Sequence, residues 1–443
     1  MSVSVARHIF SSLEQVSPLK KRGHVVQCIG LVIEAKCPSV FLGEHCVVIS
    51  AGLSGKKIDC EVAGFKESHV LLMPLVSTRG IKFGSIVEAY GKYVTVPVGN
   101  GYIGRVLNAF GKPIDGKEAI VAETVESIYK PSLNPLLRAP VNREFETGIR
   151  SIDSMLTLGR GQRVGIFAAS GVGKSMLLSS ICQHNSNNNH INIVVLVGER
   201  GREVQEFVTE TLGKKSLARS VVYAATAEEP PLTRIHAVYS ALAMAEYLSN
   251  NGTEVLLVID SMTRFAMALR EVGLAIGEAP TMRGYTTSVF TVLPSVVERC
   301  GNFQGRGGIT GLFTLLTEGE EGTDPAAETL KAILDGHIQL SSYLAERGHY
   351  PAIDMLRSIS RLFNKLASNE QREAALVIKD ALADYEENRA LIELNAEDSK
   401  SLQRKADNYK KITQFLKQDY SVTSLAGKTV RDLLALSLEV KSA

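Results

Sequence analysis

The chain has 443 residues, and 49 Lys+Arg against 47 Asp+Glu leave a formal net charge of +2. That length suggests two to three domains, and the charge balance excludes a generic nucleic-acid coat or an acidic disordered tail as its dominant character. Hydrophobic residues at 45 % and charged residues at 22 % are globular proportions. No apolar run approaches the ~18 residues of a membrane-spanning helix, and Met1–Gly23 lacks the apolar block of a signal peptide. Cysteines at 28, 37, 46, 60, 182 and 300 contain no C-x-x-C pair and read as reduced thiols. A soluble, cytoplasmic protein is expected.

Residues 1–22 read as an amphipathic arm ending in Lys20-Lys21-Arg22, suited to a membrane surface or a neighbouring subunit, or equally to a frayed helix. From 23 to 96 short β-rich runs alternate with glycines and polar turns: VVQCIGLVIEA, HCVVIS, KIDCEVAGF and HVLLMPL. Runs of this length and spacing predict a small β-barrel. From 97 to 364 wholly apolar strands (RVGIFAA, INIVVLVGE, SVVYAAT, EVLLVIDS, GITGLFTLLT) alternate with helices such as Leu232–Leu248. That pattern predicts an α/β domain whose parallel sheet is covered on both faces. Asn185–Asn189 reads as a surface loop. From 365 to 443 glycine nearly vanishes, charges balance, and helical periodicity runs over Glu370–Leu394 and Ser401–Leu416, predicting a helical domain.

The segment Ala168-Ala169-Ser170-Gly171-Val172-Gly173-Lys174-Ser175 fits the Walker A form with alanine at the first glycine. It follows a predicted strand and opens a predicted helix starting at Met176, which is the context that motif requires. Gly171 and Gly173 let backbone N–H groups curl around a β-phosphate at a helix N-terminus. Lys174 reaches the β- and γ-phosphates, and Ser175 Oγ is placed for Mg²⁺. Glu199 directly follows the strand Ile193–Val197 and Gly198, and faces the same crevice. It serves to polarise a water or, in the plainer reading, to cap the helix that follows. Val255–Asp260 is a buried strand ending in an acid, the Walker B pattern, with Asp260 holding Mg²⁺ through water. Glu203, one helical turn from Glu199, either supports that metal's water or lies on a solvated face.

Longer phrases add a resemblance. PPLTRIHAVYSALAMAEYL, VIDSMTRFAMALREVGLAIGEAP, RGYTTSVFTVLPSVVERCGN, LKAILDGHIQLSSYLAERGHYPAIDMLRSISR and GKPIDG are similar to the type III secretion ATPases of flagellar and injectisome export. That family itself resembles the catalytic subunits of rotary ATPases. The likeness covers about residues 23–420. It implies a RecA-like P-loop core between an N-terminal β-barrel and a C-terminal helical domain, ATP with Mg²⁺, and a homohexamer with active sites at subunit interfaces. By it Ala169, Ser170, Gly171, Val172, Gly173, Lys174, Ser175 and Met176 cradle the nucleotide, Arg361 of Ser358-Ile359-Ser360-Arg361 is an arginine finger, and Tyr350 stacks the adenine. Without the resemblance, Tyr350 reads as core beside a proline and Arg361 as a surface ion pair. The implied partners are a coiled-coil stalk protein docking near Glu278–Tyr285, a peripheral-stalk regulator, and export chaperone–substrate complexes. The implied location is cytoplasmic, peripheral to the inner membrane export gate.

One departure stands out: ELNAEDSKSLQRKADNYKK replaces the glycine-rich stretch that the family usually carries after ENRALI. Three rival readings differ from this one at particular residues. A non-catalytic rotary subunit would lack Glu199. The catalytic subunit of a proton-driven ATP synthase, the closest alternative, would carry an acidic DELSEE-type stretch, and YEENRALIE is only partly that. An RNA translocase would need a basic, aromatic-bearing front end, which 23–96 lacks, so no nucleic-acid partner is expected. The motifs do not separate flagellar from virulence systems.

Overall fold

A computed structural model describes residues 21–50, 55–130, 134–187, 190–317, 324–393 and 400–442. The expected arm at 1–20 lies outside the described residues, as do positions 394–399 of the unusual C-terminal stretch and the two asparagines at 188 and 189.

Six strands, β1 (Lys21–Ile29), β2 (Val32–Lys36), β3 (Glu44–Ile49), β4 (Lys57–Lys66), β5 (His69–Pro74) and β6 (Ile86–Tyr93), close a barrel in the order β1-β2-β5-β4-β3-β6. Its interior is filled by Val25, Ile33, Val48, Ile58, Leu72 and Val87. Lys21 and Arg22, placed above in the arm, are the first residues of β1 and pair with Ala89 and Glu88 of β6. Cys46 of β3 lies directly across from Cys60 of β4. All six thiols are free, and burial pushes the Cys46 thiol up to about 12.

A short antiparallel pair, β7 (Thr95–Val98) with β9 (Thr124–Ser127), joins the barrel to the second layer, and β8 (Arg105–Leu107) between them enters the large sheet. A small pair β10 (Glu144–Phe145) and β11 (Leu158–Gly159) precedes the central strands. These are β12 (Arg163–Ala168), β13 (Ile191–Glu199), β14 (Ser220–Thr226), β15 (Val255–Asp260), β16 (Ile309–Leu316), β17 (Gly336–Leu340) and β18 (Ile353–Ser360). The sheet order is β18-β17-β12-β16-β15-β13-β14-β8. All neighbours are parallel except the edge strand β18, which runs antiparallel to β17. Strands such as β15, buried at every residue, require cover on both faces.

Helices supply that cover: α1 (Lys174–Asn187), α2 (Pro231–Asn250) and α3 (Met262–Ala275) pack on the sheet, and α4 (Asn369–Glu393), α5 (Lys400–Leu416) and α6 (Ala426–Ser442) form the helical end. The expected loop at Asn185 is corrected. Helix α1 continues through Asn187, and Asn185, 1 % exposed, donates to Asn192 Oδ1 at 2.6 Å, so this part of the asparagine run is a buried polar pairing of α1 with β13. Ala374, Ile378, Ile412, Leu416 and Leu433 of the helical end share one apolar cluster with Ile152, Ile166 and Leu178 of the sheet domain. Among the described residues no helix is long and apolar enough to cross a membrane.

Candidate functional site

Parallel strands end on one edge of the sheet, and the loops there form the crevice. The segment Ala169–Gly173 leaves β12 at that edge and leads straight into α1, whose first residue is Lys174. Gly171 and Gly173 have φ of +82° and +90°, a region closed to most side chains, so the backbone can fold into an anion-sized turn. Val172 is buried under the turn, whereas Ser170, Gly171, Ser175 and Met176 are exposed. A turn anchored by one apolar residue with its amides at a helix start is a phosphate-binding arrangement.

Strand β16 separates β12 from β15, and Asp260 at the end of β15 reaches across it. Lys174 Nζ donates to Asp260 Oδ1 at 2.5 Å, and Thr314 Oγ1 of β16 donates to the same oxygen at 2.7 Å. The side chains of Lys174 and Asp260 are only 12 % and 4 % exposed. Glu199, the last residue of β13, pairs with Arg264 Nη2 at 3.2 Å, and Arg264 also donates to the Gly198 carbonyl. The helix-cap role for Glu199 falls away locally, because the N-cap of Gly201–Glu206 is Arg200, closed by a capping box with Glu203. Burial pushes the Glu199 carboxyl well above the usual carboxylate range, helped by a hydrogen bond to Glu203 and by the Asp260 charge. The same hydrogen bond holds Glu203 low. Glu199 is thus the carboxyl that keeps the proton, and Glu203 the one that accepts from it.

Tyr350 is half-buried beside the loop. A methyl group built on Gly173 would sit 3.4 Å from the Tyr350 ring and 2.7 Å from Tyr420 Oη. The two rings stand 6.0 Å apart, inclined at 51°. Burial pushes the Tyr420 phenol up to about 12, so it stays a neutral donor. Two tyrosine rings beside a phosphate loop offer aromatic faces on which a flat base can stack.

Arg361 lies elsewhere. Gly165 of β12 pairs with His337 of β17, and Gly336 pairs with Ser360 of β18, so Arg361 follows the antiparallel edge strand at the opposite edge of the sheet. Roughly four residues of strand, about 13 Å, separate the two edges. Arg361 is exposed, with Nη2 donating to Ala332 O at 3.4 Å and its backbone N–H to Asp335 O at 2.9 Å. The structure therefore brings Lys174, Ser175, Asp260, Glu199, Glu203 and Tyr350 together in one subunit and leaves Arg361 out.

Four neighbours escaped the sequence reading. Arg264 stands four residues past Asp260, within the quoted phrase VIDSMTRF. Thr314 is one of two threonines in the strand Ile309–Leu316, and nothing in the sequence sets it apart from Thr310. Gln418 closes the phrase FLKQ, which is similar to the type III group, and Tyr420 follows it, but nothing in the sequence tied either to the nucleotide site. Beside the loop, a cavity of about 660 Å³ opens between β17–β18 and helices α4 and α5, lined by Ala169, Tyr343, Asp354, Leu382, Arg389 and Tyr409 among others. Tyr343 there lies between the guanidinium groups of Arg347 and Arg389, at 4.3 and 4.1 Å from its ring centre.

Comparison with known proteins agrees with this layout. Residues 148–360 match the nucleotide-binding domain of the ATP synthase alpha/beta family, and residues 25–91 match its β-barrel domain. The flagellum-specific ATP synthase of Bacillus subtilis is 42 % identical over 432 residues, 97 % of this chain and 98 % of the relative. The SPI-2 type 3 secretion system ATPase of Salmonella typhimurium is 40 % identical over 401 residues, 89 % of this chain and 90 % of the relative. The assembled ATPase EscN from the enteropathogenic E. coli type III secretion system superposes with a TM-score of 0.86 at 35 % identity, covering 94 % of this chain and all of EscN. EscN in complex with its central stalk EscO gives a TM-score of 0.83 at 34 % identity over the same shares.

Proposed function

Because this chain belongs to the ATP synthase alpha/beta family, we propose that it is an ATP hydrolase energising type III protein export, of flagellar or virulence type. One observation carries the reading: a phosphate loop, a strand-end Asp260 and a strand-end Glu199 converge on one edge of a parallel sheet. Its chain organisation is an arm at 1–20, a barrel at 21–96, an ATPase core at 97–364 and a helical domain at 365–443.

In this reading the N–H groups of Ala169–Lys174 and the start of α1 at Ser175 and Met176 bind the phosphates, and Lys174 exchanges its carboxylate partner for phosphate oxygens. Tyr350 and Tyr420 hold the adenine. Glu199 orients and polarises the attacking water for in-line displacement at the γ-phosphate, while Arg264 keeps the Glu199 carboxyl aimed into the crevice. The exposed Ser175 hydroxyl and the Asp260 carboxylate are hard oxygen donors of the kind Mg²⁺ takes, and Glu203 lies close enough to Glu199 to hold a water between them and the metal. When bound there, Mg²⁺ supplies charge neutralisation at the phosphates. Arg361 completes the site of the adjacent subunit. Homohexameric assembly, a coiled-coil stalk partner, a peripheral-stalk regulator, chaperone–substrate cargo and a position on the cytoplasmic side of the inner membrane complete the proposal. The named relatives EscN and its stalk EscO support the assembled state and the stalk.

The test is Glu199→Gln. Its amide still accepts and donates hydrogen bonds but polarises water poorly, so ATP affinity persists while kcat falls by roughly 10²–10⁴-fold. Phosphate release measured beside equilibrium ATP binding decides it, and a twofold loss removes Glu199 from the chemistry.

A further inference from the structure

Gln418 sits two residues beyond the end of α5 and is 5 % exposed. Its side-chain amide is fully engaged. Oε1 accepts from Arg150 N–H at 2.8 Å, and Nε2 donates to Gly148 O at 2.7 Å and Val422 O at 2.6 Å. Its backbone N–H donates to Tyr350 O at 2.9 Å, and the Ser424 N–H donates to Gly148 O at 3.0 Å. One residue therefore ties together three stretches remote in sequence: the turn at 148–150, the loop carrying Tyr350, and the segment carrying Tyr420. From the other side Ser180 Oγ of α1 donates to Tyr420 O at 3.2 Å.

We infer that Gln418 is a positioning residue for the nucleobase: it fixes the separation of the Tyr350 and Tyr420 rings beside Gly173. The inference rests on reading the Gly171–Gly173 loop as the ATP site, and it deepens that reading. Only an amide of this length meets the demand for one acceptor and two donors here. Glutamate would set a carboxylate oxygen against two carbonyls, and methionine fills the same space with no hydrogen bond to offer. Because α5 passes to Gln418 after a single residue, a shift of the helical end reaches the base slot through this node.

The probes are ATP and inorganic tripolyphosphate, titrated calorimetrically into the full chain. Wild type binds both, and Lys174→Ala binds neither. Gln418→Glu and Gln418→Met weaken ATP roughly tenfold, the scale of a lost base–aromatic contact, and leave tripolyphosphate within about twofold of wild type. In turnover, KM for ATP rises while kcat stays within about twofold. Unchanged ATP affinity in either variant that retains its melting transition overturns the inference. So does an equal loss for both ligands, which is what general loosening of the fold produces. Wild type that binds neither ligand, or Lys174→Ala that binds both, sinks the nucleotide reading itself and takes this inference with it.

Discussion

Glu199 and Glu203 show how far a single carboxyl's behaviour is set by its neighbours. Two acids one helical turn apart on an exposed face would titrate alike, yet burial and hydrogen bonding drive Glu199 up and Glu203 down. In the proposed mechanism water activation needs Glu199 ionised, so activity should rise with pH through its elevated pKa and be lost below it. Replacing Glu203 with glutamine removes a negative neighbour, lowers the Glu199 pKa, and moves the acid limb of kcat/KM to lower pH. A pH–rate profile of Glu203→Gln with an unmoved acid limb shows that the two carboxyls do not communicate. Lys174, Ser175 and Asp260 were legible in sequence because each belongs to a local word with a fixed mechanical meaning. Arg264, Thr314 and Tyr420 were not, because their roles arise only when β13, β15, β16 and the segment after α5 are brought side by side.

Elements divide along the same line. Strands β12 to β16 could be read directly, since burial on both faces makes them apolar throughout. Strands β17 and β18 could not: the edge strand exposes Leu356, Arg357 and Ile359 and buries Ile353, Met355 and Ser358, so neither a solid apolar run nor a clean alternation appears. The helix expected after Glu199 exists at Gly201–Glu206, but it relaxes into a π-helical turn at Phe207–Leu212. Helix α6 escaped for a different reason. Its buried face is Ala426, Thr429, Leu433, Ser437 and Val440, and two hydroxyl residues at helical spacing blur the apolar stripe. That face nevertheless packs on α4 and the Arg150–Met155 helix. Leu433, fully buried, should cost about 2–5 kcal/mol when cut to alanine, whereas Leu438, 66 % exposed, should stay within about 0.5 kcal/mol. Urea melts of Leu433→Ala and Leu438→Ala compare the two, and equal losses mean that α6 does not pack as described.

For the whole molecule, the placement of Arg361 at the opposite sheet edge from Lys174 has a stoichiometric outcome. On the proposed assignment each subunit holds one half of two different active sites, so Arg361→Ala and Lys174→Ala rings should each be inactive, an arginine finger being worth about 10³–10⁵ in rate. Mixed before assembly, the two variants restore a fraction of activity, because an Arg361→Ala subunit keeps its loop and a Lys174→Ala neighbour lends the arginine. Native mass spectrometry that finds mixed rings without any recovered phosphate release excludes the shared site. The order of barrel, α/β layer and helical end was visible from texture alone, but which ends touch was not.

The contact between barrel and sheet is of another kind from that at the helical end. Leu71, Met73 and Leu75 of the barrel belong to the same apolar cluster as Leu232, Ile235 and Val238 of α2. Polar groups seal it: Glu61 of β4 accepts from Tyr129 Oη at 2.7 Å and meets His236 Nε2 of α2 at 2.8 Å, and Thr233 Oγ1 donates to Leu75 O at 2.6 Å. His236 is wholly enclosed. At the other end the 660 Å³ cavity interrupts the packing between sheet and helices. The two joints therefore differ in stiffness. Under load the barrel is expected to move with the sheet as one lever arm, and compliance to collect at the cavity between β17–β18 and helices α4 and α5. Amide exchange should carry that signature, slow through α2 and the barrel strands that meet it and faster along the cavity-lining stretches of α4 and α5.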